Sequence, residues 1–95
     1  MEEEAKIVRW MIFFTGEVQA VGFRYTAYLY ANQIGLTGWV KNLDDGRVQM
    51  EVQGRLSDIR RLLAHLRKSP PIRIEDFSIK EIPIRRDEDK FAITG

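Results

Sequence analysis

A nearly uninterrupted apolar run close to the N-terminus constrains the fold more than any other feature. Almost every residue from 6 to 14 is hydrophobic, which is the pattern of a central strand. Alternate residues share a face: Trp10, Ile12 and Phe14 lie on one, and Met11 and Phe13 lie on the other. We expect the even-numbered residues to face the helices. The chain is therefore predicted to build one sheet around this strand.

Periodicity and turn residues predict the remaining elements. A helix is predicted from about Gly22 to Ile34, where Gly35 ends it. A hairpin follows, with strands Leu36 to Leu43 and Arg47 to Gln53 joined by Asp44-Asp45-Gly46 and ended by Gly54. The remaining elements are a helix from the N-cap Ser57 to about Lys68, an edge or bulged strand from Ile72 to Ile84 limited by Pro83, and a short last strand with Phe91 and Ile93. This βαββαβ order predicts an α+β, ferredoxin-like two-layer sandwich, an antiparallel sheet with two helices on one face.

Length and composition exclude several classes of site. The 95 residues allow a single domain, 1–95, in which the acidic lead at residues 1–5 is expected to fray. A net charge of +1 argues against nonspecific nucleic-acid binding. The chain has no cysteine and a single histidine, His65, which excludes disulfides, thiolate chemistry, cysteine-ligated metals and multi-histidine metal sites. We expect no cofactor. No apolar run approaches the ~20 residues of a membrane span, and we expect a cytoplasmic protein without membrane contact.

The segment from Gly16 to Arg24 joins the first strand to the first helix and carries the strongest functional signal. A loop that precedes a helix presents backbone N–H groups without partners inside the helix, and the positive end of the helix dipole lies behind them. Such a loop is suited to bind an anion. Arg24 adds a planar guanidinium that can hold two phosphate oxygens at once. The segment therefore predicts a site for a phosphoryl group.

Two segments carry a resemblance to a known family. Gly16-Glu17-Val18-Gln19-Ala20-Val21-Gly22-Phe23-Arg24 resembles the first signature of the acylphosphatases, usually written G-x-V-Q-G-V-x-F-R. Gly38-Trp39-Val40-Lys41-Asn42-Leu43-Asp44-Asp45-Gly46-Arg47-Val48, continuing to Gly54, resembles the second signature without a departure. The similarity extends across nearly the whole chain. Two motifs in the right order and spacing make the resemblance specific.

The resemblance implies hydrolysis of the carboxyl-phosphate bond of a small acyl phosphate without a metal. Arg24 would bind the substrate phosphate and Asn42 would orient the attacking water. The remaining contacts would come from the backbone amides of the phosphate-binding loop, which comprises Glu17, Val18, Gln19, Ala20, Val21 and Gly22. Inorganic phosphate or sulfate is expected to be able to occupy the same site. We expect a monomer or a weak homo-oligomer.

Three loop residues leave alternatives open. Ala20 stands where the family usually has glycine, and a left-handed backbone there would cost about 1 kcal/mol or somewhat more. Glu17 would be harmless if it points outward but would weaken phosphate binding if it points inward. Gln19 would either hold the loop through side-chain hydrogen bonds or be exposed. Tyr25 is expected to be a packing residue or to line the pocket.

Two other functions compete with hydrolysis. One is an RNA-binding module, because Met11, Phe13 and Trp39 could lie on the open face of the sheet. Residues 47–53 lack the basic, glycine and aromatic pattern of such a module, so we expect no nucleic-acid partner. The other is a non-catalytic domain of the same fold, with a regulatory or assembly role, that binds phosphate or a carbamoyl-phosphate-like ligand.

Overall fold

A computed structural model describes residues 2–95 of the chain. Its elements in chain order are α1 (Glu2–Ala5), β1 (Ile7–Glu17), α2 (Phe23–Gln33), β2 (Thr37–Asn42), β3 (Val48–Arg55), α3 (Leu56–Arg67), β4 (Arg73–Ile82) and β5 (Phe91–Ile93). The predicted α+β, ferredoxin-like architecture is confirmed: α2 and α3 lie on one side of a five-stranded sheet.

The strand order in the sheet is β4-β1-β3-β2-β5. The first strand pairs antiparallel with β3 and with β4, and the prediction that β4 is an edge strand is confirmed. The expectation of a wholly antiparallel sheet is wrong, because β5 pairs parallel with β2. The physical reason is the connection over residues 83–90, which carries the chain from one edge of the sheet to the other and reverses its direction. This connection delivers the last strand beside Asn42.

The hydrophobic core lies between the sheet and the two longer helices. On β1 the residues Val8, Ile12 and Phe14 are buried against the helices, whereas Met11 and Phe13 are only half-buried on the other face. The prediction that the even-numbered residues face the helices is therefore confirmed. The helices contribute these buried side chains: Phe23, Ala27, Ala31, Leu56, Ile59, Leu62 and Leu66. Burial of this apolar surface is the main driving force for the fold.

Two predicted boundaries are wrong. Gly54 does not end its strand, because β3 continues to Arg55 and pairs Gly54 with Val8 of β1. A Cβ at Gly54 would collide with the side chain of Leu36, which explains the glycine at this paired position. Ser57 is not the N-cap of α3, since the cap is Arg55, two residues earlier, and the helix begins at Leu56.

The acidic lead also differs from expectation. Residues 2–5, predicted to fray, form the short helix α1, and the Glu4 Oε1 atom lies 3.8 Å from Arg60 Nε on α3. Lys6 N donates a hydrogen bond to Glu3 O at 3.1 Å. Met1 lies outside the described residues. Across residues 2–95, no helix is both long and apolar enough to span a membrane.

Arg9 is a buried cation on the face of the sheet away from the helices. Only 1% of its surface is exposed. Its guanidinium donates to Glu51 at 2.9 Å, to Gln53 at 3.2 Å and to both carboxylate oxygens of Glu88, at 2.8 and 3.1 Å. Burial by itself lowers the pKa of Arg9, but the hydrogen bonds and charges of Glu88 and Glu51 outweigh it and raise the pKa overall. This cluster ties the connection over residues 83–90 to the sheet.

Candidate active site

The loop between β1 and α2 comprises residues 18–22. Val18 is buried and anchors the loop in the core. Gly22 is the N-cap of α2, with φ of 80°, and no side chain within residues 2–95 caps this helix terminus. Because no side chain competes for them, the N–H groups of the first turn remain directed at the loop. The N-terminus of an eleven-residue helix therefore borders this loop.

Ala20 has a left-handed backbone. Its φ is 60°, and it is the one non-glycine residue of the described chain with a positive φ. The methyl group is exposed, so no packing contact compensates for the conformation. An L-residue in this region costs about 1–2 kcal/mol. The strain anticipated for an alanine at this position is present in the structure.

Gln19 holds the loop through side-chain hydrogen bonds, which decides between the two alternatives for this residue. Its Nε2 atom donates to the backbone oxygens of Leu43 at 2.7 Å and Arg47 at 2.9 Å. These two carbonyls flank the turn between β2 and β3. One amide group therefore connects the loop to the hairpin on which Asn42 lies.

Asn42 is the last residue of β2 and faces the same side of the sheet as Val40. Its Oδ1 atom is buried, and no donor among the described residues reaches it. A buried amide oxygen without a donor costs about 1–3 kcal/mol. Such an atom is suited to accept a hydrogen bond from a molecule that enters the site.

Arg24 is the second residue of α2, and its NH1 group donates to the backbone oxygen of Gly95 at 2.6 Å. Arg24 as a whole residue is half-buried, and this hydrogen bond is exposed to solvent. This hydrogen bond uses one of the five donors of the guanidinium and leaves the others for a ligand. The Gly95 carbonyl thereby orients the Arg24 side chain.

One cavity of about 220 Å³ brings the predicted site residues together. It is lined by Val18, Ala20, Gly22, Phe23, Arg24, Tyr25, Asn42 and Ile93. Five residues of the predicted site are in this lining. Among the other predicted loop residues, Gln19 has the structural role described above, and Val21 packs against the hydrophobic core.

Glu17 lies outside this lining. It is the last residue of β1, and 63% of its side chain is exposed, with Oε1 at 3.6 Å from Arg73 Nε. Its carboxylate therefore points away from the cavity, toward β4. Of the two alternatives for Glu17, the structure has the outward one, in which the carboxylate does not oppose phosphate binding.

Phe23 and Ile93 also line the cavity, although neither was predicted to do so. Phe23 is buried in the core and reaches the cavity only because it follows Gly22 directly. Ile93 comes from β5 and pairs with Val40, two residues before Asn42. Nothing in the local pattern around Ile93 indicates this neighbour, because the contact depends on the parallel pairing of β5 with β2.

Two titratable residues outside the cavity lining, His65 and Asp45, have structural roles. The ring of His65 stacks on Tyr30 with centroids 4.1 Å apart, away from the cavity. Asp45 accepts hydrogen bonds from the Arg47 backbone N–H at 3.0 Å and from Arg47 Nε at 2.8 Å. These contacts lower the pKa of Asp45 and stabilise the hairpin turn. Residues 2–95 contain no group of three or more His, Cys, Asp or Glu side chains arranged to hold a metal ion.

The chain is similar to known proteins over nearly its whole length. The acylphosphatase family model matches residues 10–93. An acylphosphatase of Clostridium acetobutylicum is 40% identical over 90% of this chain and 94% of its own length. One of Methylococcus capsulatus is 36% identical over 86% of this chain and 90% of its own length. The crystal structure of a Bacillus subtilis acylphosphatase superposes with a TM-score of 0.84 at 32% identity, covering 95% of this chain and all of that one. The chain therefore belongs to the acylphosphatase family, a family of hydrolases.

Proposed function

We propose that this protein hydrolyses the carboxyl-phosphate bond of acyl phosphates without a metal ion, with Arg24 and the loop amides binding the phosphoryl group and Asn42 positioning the water. The observation that carries the proposal is the common cavity. Arg24, Asn42 and the loop residues Val18, Ala20 and Gly22 all line it. The enzymes to which the chain is similar are acylphosphatases, which supports this reaction.

Charge complementarity supports the assignment of the phosphoryl position. The substrate phosphate is an anion, and it would meet the N-terminal end of α2 together with the Arg24 guanidinium. The hydrogen bond from Arg24 NH1 to Gly95 leaves NH2 and Nε free to hold two phosphoryl oxygens. Charge that develops on these oxygens during transfer would be stabilised by donors already in place.

Asn42 would position the nucleophile. Its buried Oδ1 atom has no donor among residues 2–95 and would accept a hydrogen bond from water, which directs the water's lone pair at phosphorus. The new bond forms between the water oxygen and phosphorus, and the bond from phosphorus to the acyl oxygen breaks. The carboxylate leaves as an anion and needs no general acid. We assign the water's proton to the phosphoryl group, since asparagine does not titrate.

The test is turnover of benzoyl phosphate in the presence of a chelator. We expect activity in the wild type and a loss of about 100-fold or more in Arg24→Ala and in Asn42→Ala. Arg24→Ala should also weaken binding of inorganic phosphate, whereas Asn42→Ala should lower kcat more than it changes phosphate binding. Arg67→Ala, which removes an exposed guanidinium from α3, is the matched control and should remain active.

Two results would contradict this proposal. Unchanged turnover in a folded Arg24 or Asn42 variant would remove the assigned role of that residue. Protection by phosphate in a melting experiment without any turnover would instead favour a non-catalytic binding domain.

A further inference from the structure

The cavity has two chemically different parts. The polar part comprises Arg24, Asn42 and the loop backbone. The apolar part is formed by side chains, and two of them are buried in the core: Val18 and Phe23 are each 1% exposed. Two others are open to solvent, with Tyr25 61% and Ile93 40% exposed. Large apolar groups exposed beside an anion site are surface that a ligand can cover.

The Tyr25 ring packs on a neighbouring aromatic ring of the same helix. This neighbour is Tyr28, one turn along α2, with ring centroids 6.3 Å apart and planes inclined by 25°. Both residues are on the helix whose N-terminus borders the loop. An aromatic side chain has only two side-chain torsions, so a ring held in this way offers a flat surface at a low entropic cost. Ile93 comes from a different element, β5, and adds a branched aliphatic side chain to the same lining.

We propose that Tyr25 and Ile93 form the subsite for the acyl group and give the enzyme a preference for flat, apolar acyl phosphates over small ones. This inference rests on the proposed function. Phosphorus and the acyl carbon are joined through a single oxygen, so an acyl group must lie within a few ångströms of a phosphoryl group bound at the loop. Within residues 2–95, Tyr25 and Ile93 are the exposed large apolar side chains in the cavity lining.

The lining also argues against charged or strongly polar acyl groups. Apart from the phenol of Tyr25, its polar side chains are Arg24 and Asn42, and the proposed function assigns both of these to the phosphoryl group and the water. A second carboxylate on the acyl group would find no further cation in the lining. An aromatic acyl group could instead pack on the Tyr25 ring.

The experiment compares kcat/KM for benzoyl phosphate and for acetyl phosphate. We expect the wild type to favour benzoyl phosphate. Tyr25→Ala should lower kcat/KM for benzoyl phosphate by about threefold to tenfold, mainly through KM, and should change the value for acetyl phosphate by less than about twofold. Ile93→Ala should act in the same direction, and Tyr25→Phe should retain the preference. The inhibition constant of inorganic phosphate should stay unchanged in all three variants.

Leu29→Ala is the matched control, because Leu29 is a 49% exposed apolar residue of the same helix that lies outside this lining. It should leave both substrates unaffected. If Tyr25→Ala and Ile93→Ala leave the ratio of the two substrates unchanged, the subsite is refuted while the proposed hydrolysis stands. If the wild type turns over neither substrate, both proposals fail.

Discussion

Replacing Ala20 by glycine should stabilise this protein, although the same change normally destabilises. Ala20 has a φ of 60°, where an L-residue costs about 1–2 kcal/mol and glycine costs nothing. Against this, glycine adds conformational entropy to the unfolded chain, worth about 0.4–1 kcal/mol. The methyl group is exposed, so its removal leaves no cavity. We therefore expect a net gain of about 0.5–1 kcal/mol in the free energy of unfolding.

The assay is urea unfolding together with calorimetry. For a domain of this size, 1 kcal/mol corresponds to about 4–8 °C in Tm, so Ala20→Gly should raise Tm by about 2–8 °C. The matched control is Ala64→Gly, the same substitution at an exposed position within α3, which should lose about 1 kcal/mol.

A third variant isolates the backbone contribution. Gly22 has a φ of 80°, and a Cβ added there would meet no atom within 4 Å. Gly22→Ala should therefore lower the free energy of unfolding by about 0.5–1 kcal/mol, the same balance of backbone strain and unfolded-state entropy with the opposite sign. If Ala20→Gly were as destabilising as Ala64→Gly, the loop would not be strained at Ala20 and the reasoning would be refuted.

Two further variants probe the contacts that hold the site and the sheet. Gln19→Leu removes both hydrogen bonds to the backbone carbonyls of the hairpin. It should lower the free energy of unfolding by about 1–3 kcal/mol and should also lower kcat for benzoyl phosphate. Full activity of this variant would show that the loop keeps its position without these hydrogen bonds. Arg9→Met leaves Glu51 and Glu88 without their buried cation and should lower the free energy of unfolding in urea by about 3 kcal/mol. The control is Arg60→Met, which removes an exposed ion pair and should change the free energy of unfolding by less than about 1 kcal/mol. Equal losses in the two arginine variants would contradict the assigned importance of burial.

Some features were predictable because they are local. Apolar alternation and helical spacing depend on neighbours within a few residues, and they predict the type of each main element and the α+β class correctly, although not every boundary. The glycines and the following helix likewise predict the loop, because an N-terminus with free N–H groups is a property of the segment itself. The resemblance of two motifs adds Arg24 and Asn42 as candidates.

Predictions from local sequence were wrong or missing where contacts between distant segments determine the structure. Gly54 is typical of a strand end, but pairing with β1 and the packing of Leu36 keep it within β3. For Arg9, which lies in a largely apolar run, the sequence indicated no partner, because the Glu88 carboxylate reaches it only when residues 83–90 return across the sheet.

The sequence by itself determined the type of each main element, the class of the fold and the presence of a loop suited to an anion, since these follow from short-range patterns. Only the tertiary structure decided that Gln19 connects this loop to the hairpin, that Glu17 points away and that Ile93 lines the cavity. Each of these depends on pairing between segments far apart in the chain, and the free energy of such pairing comes from burial and hydrogen bonding that exist only after the sheet has formed.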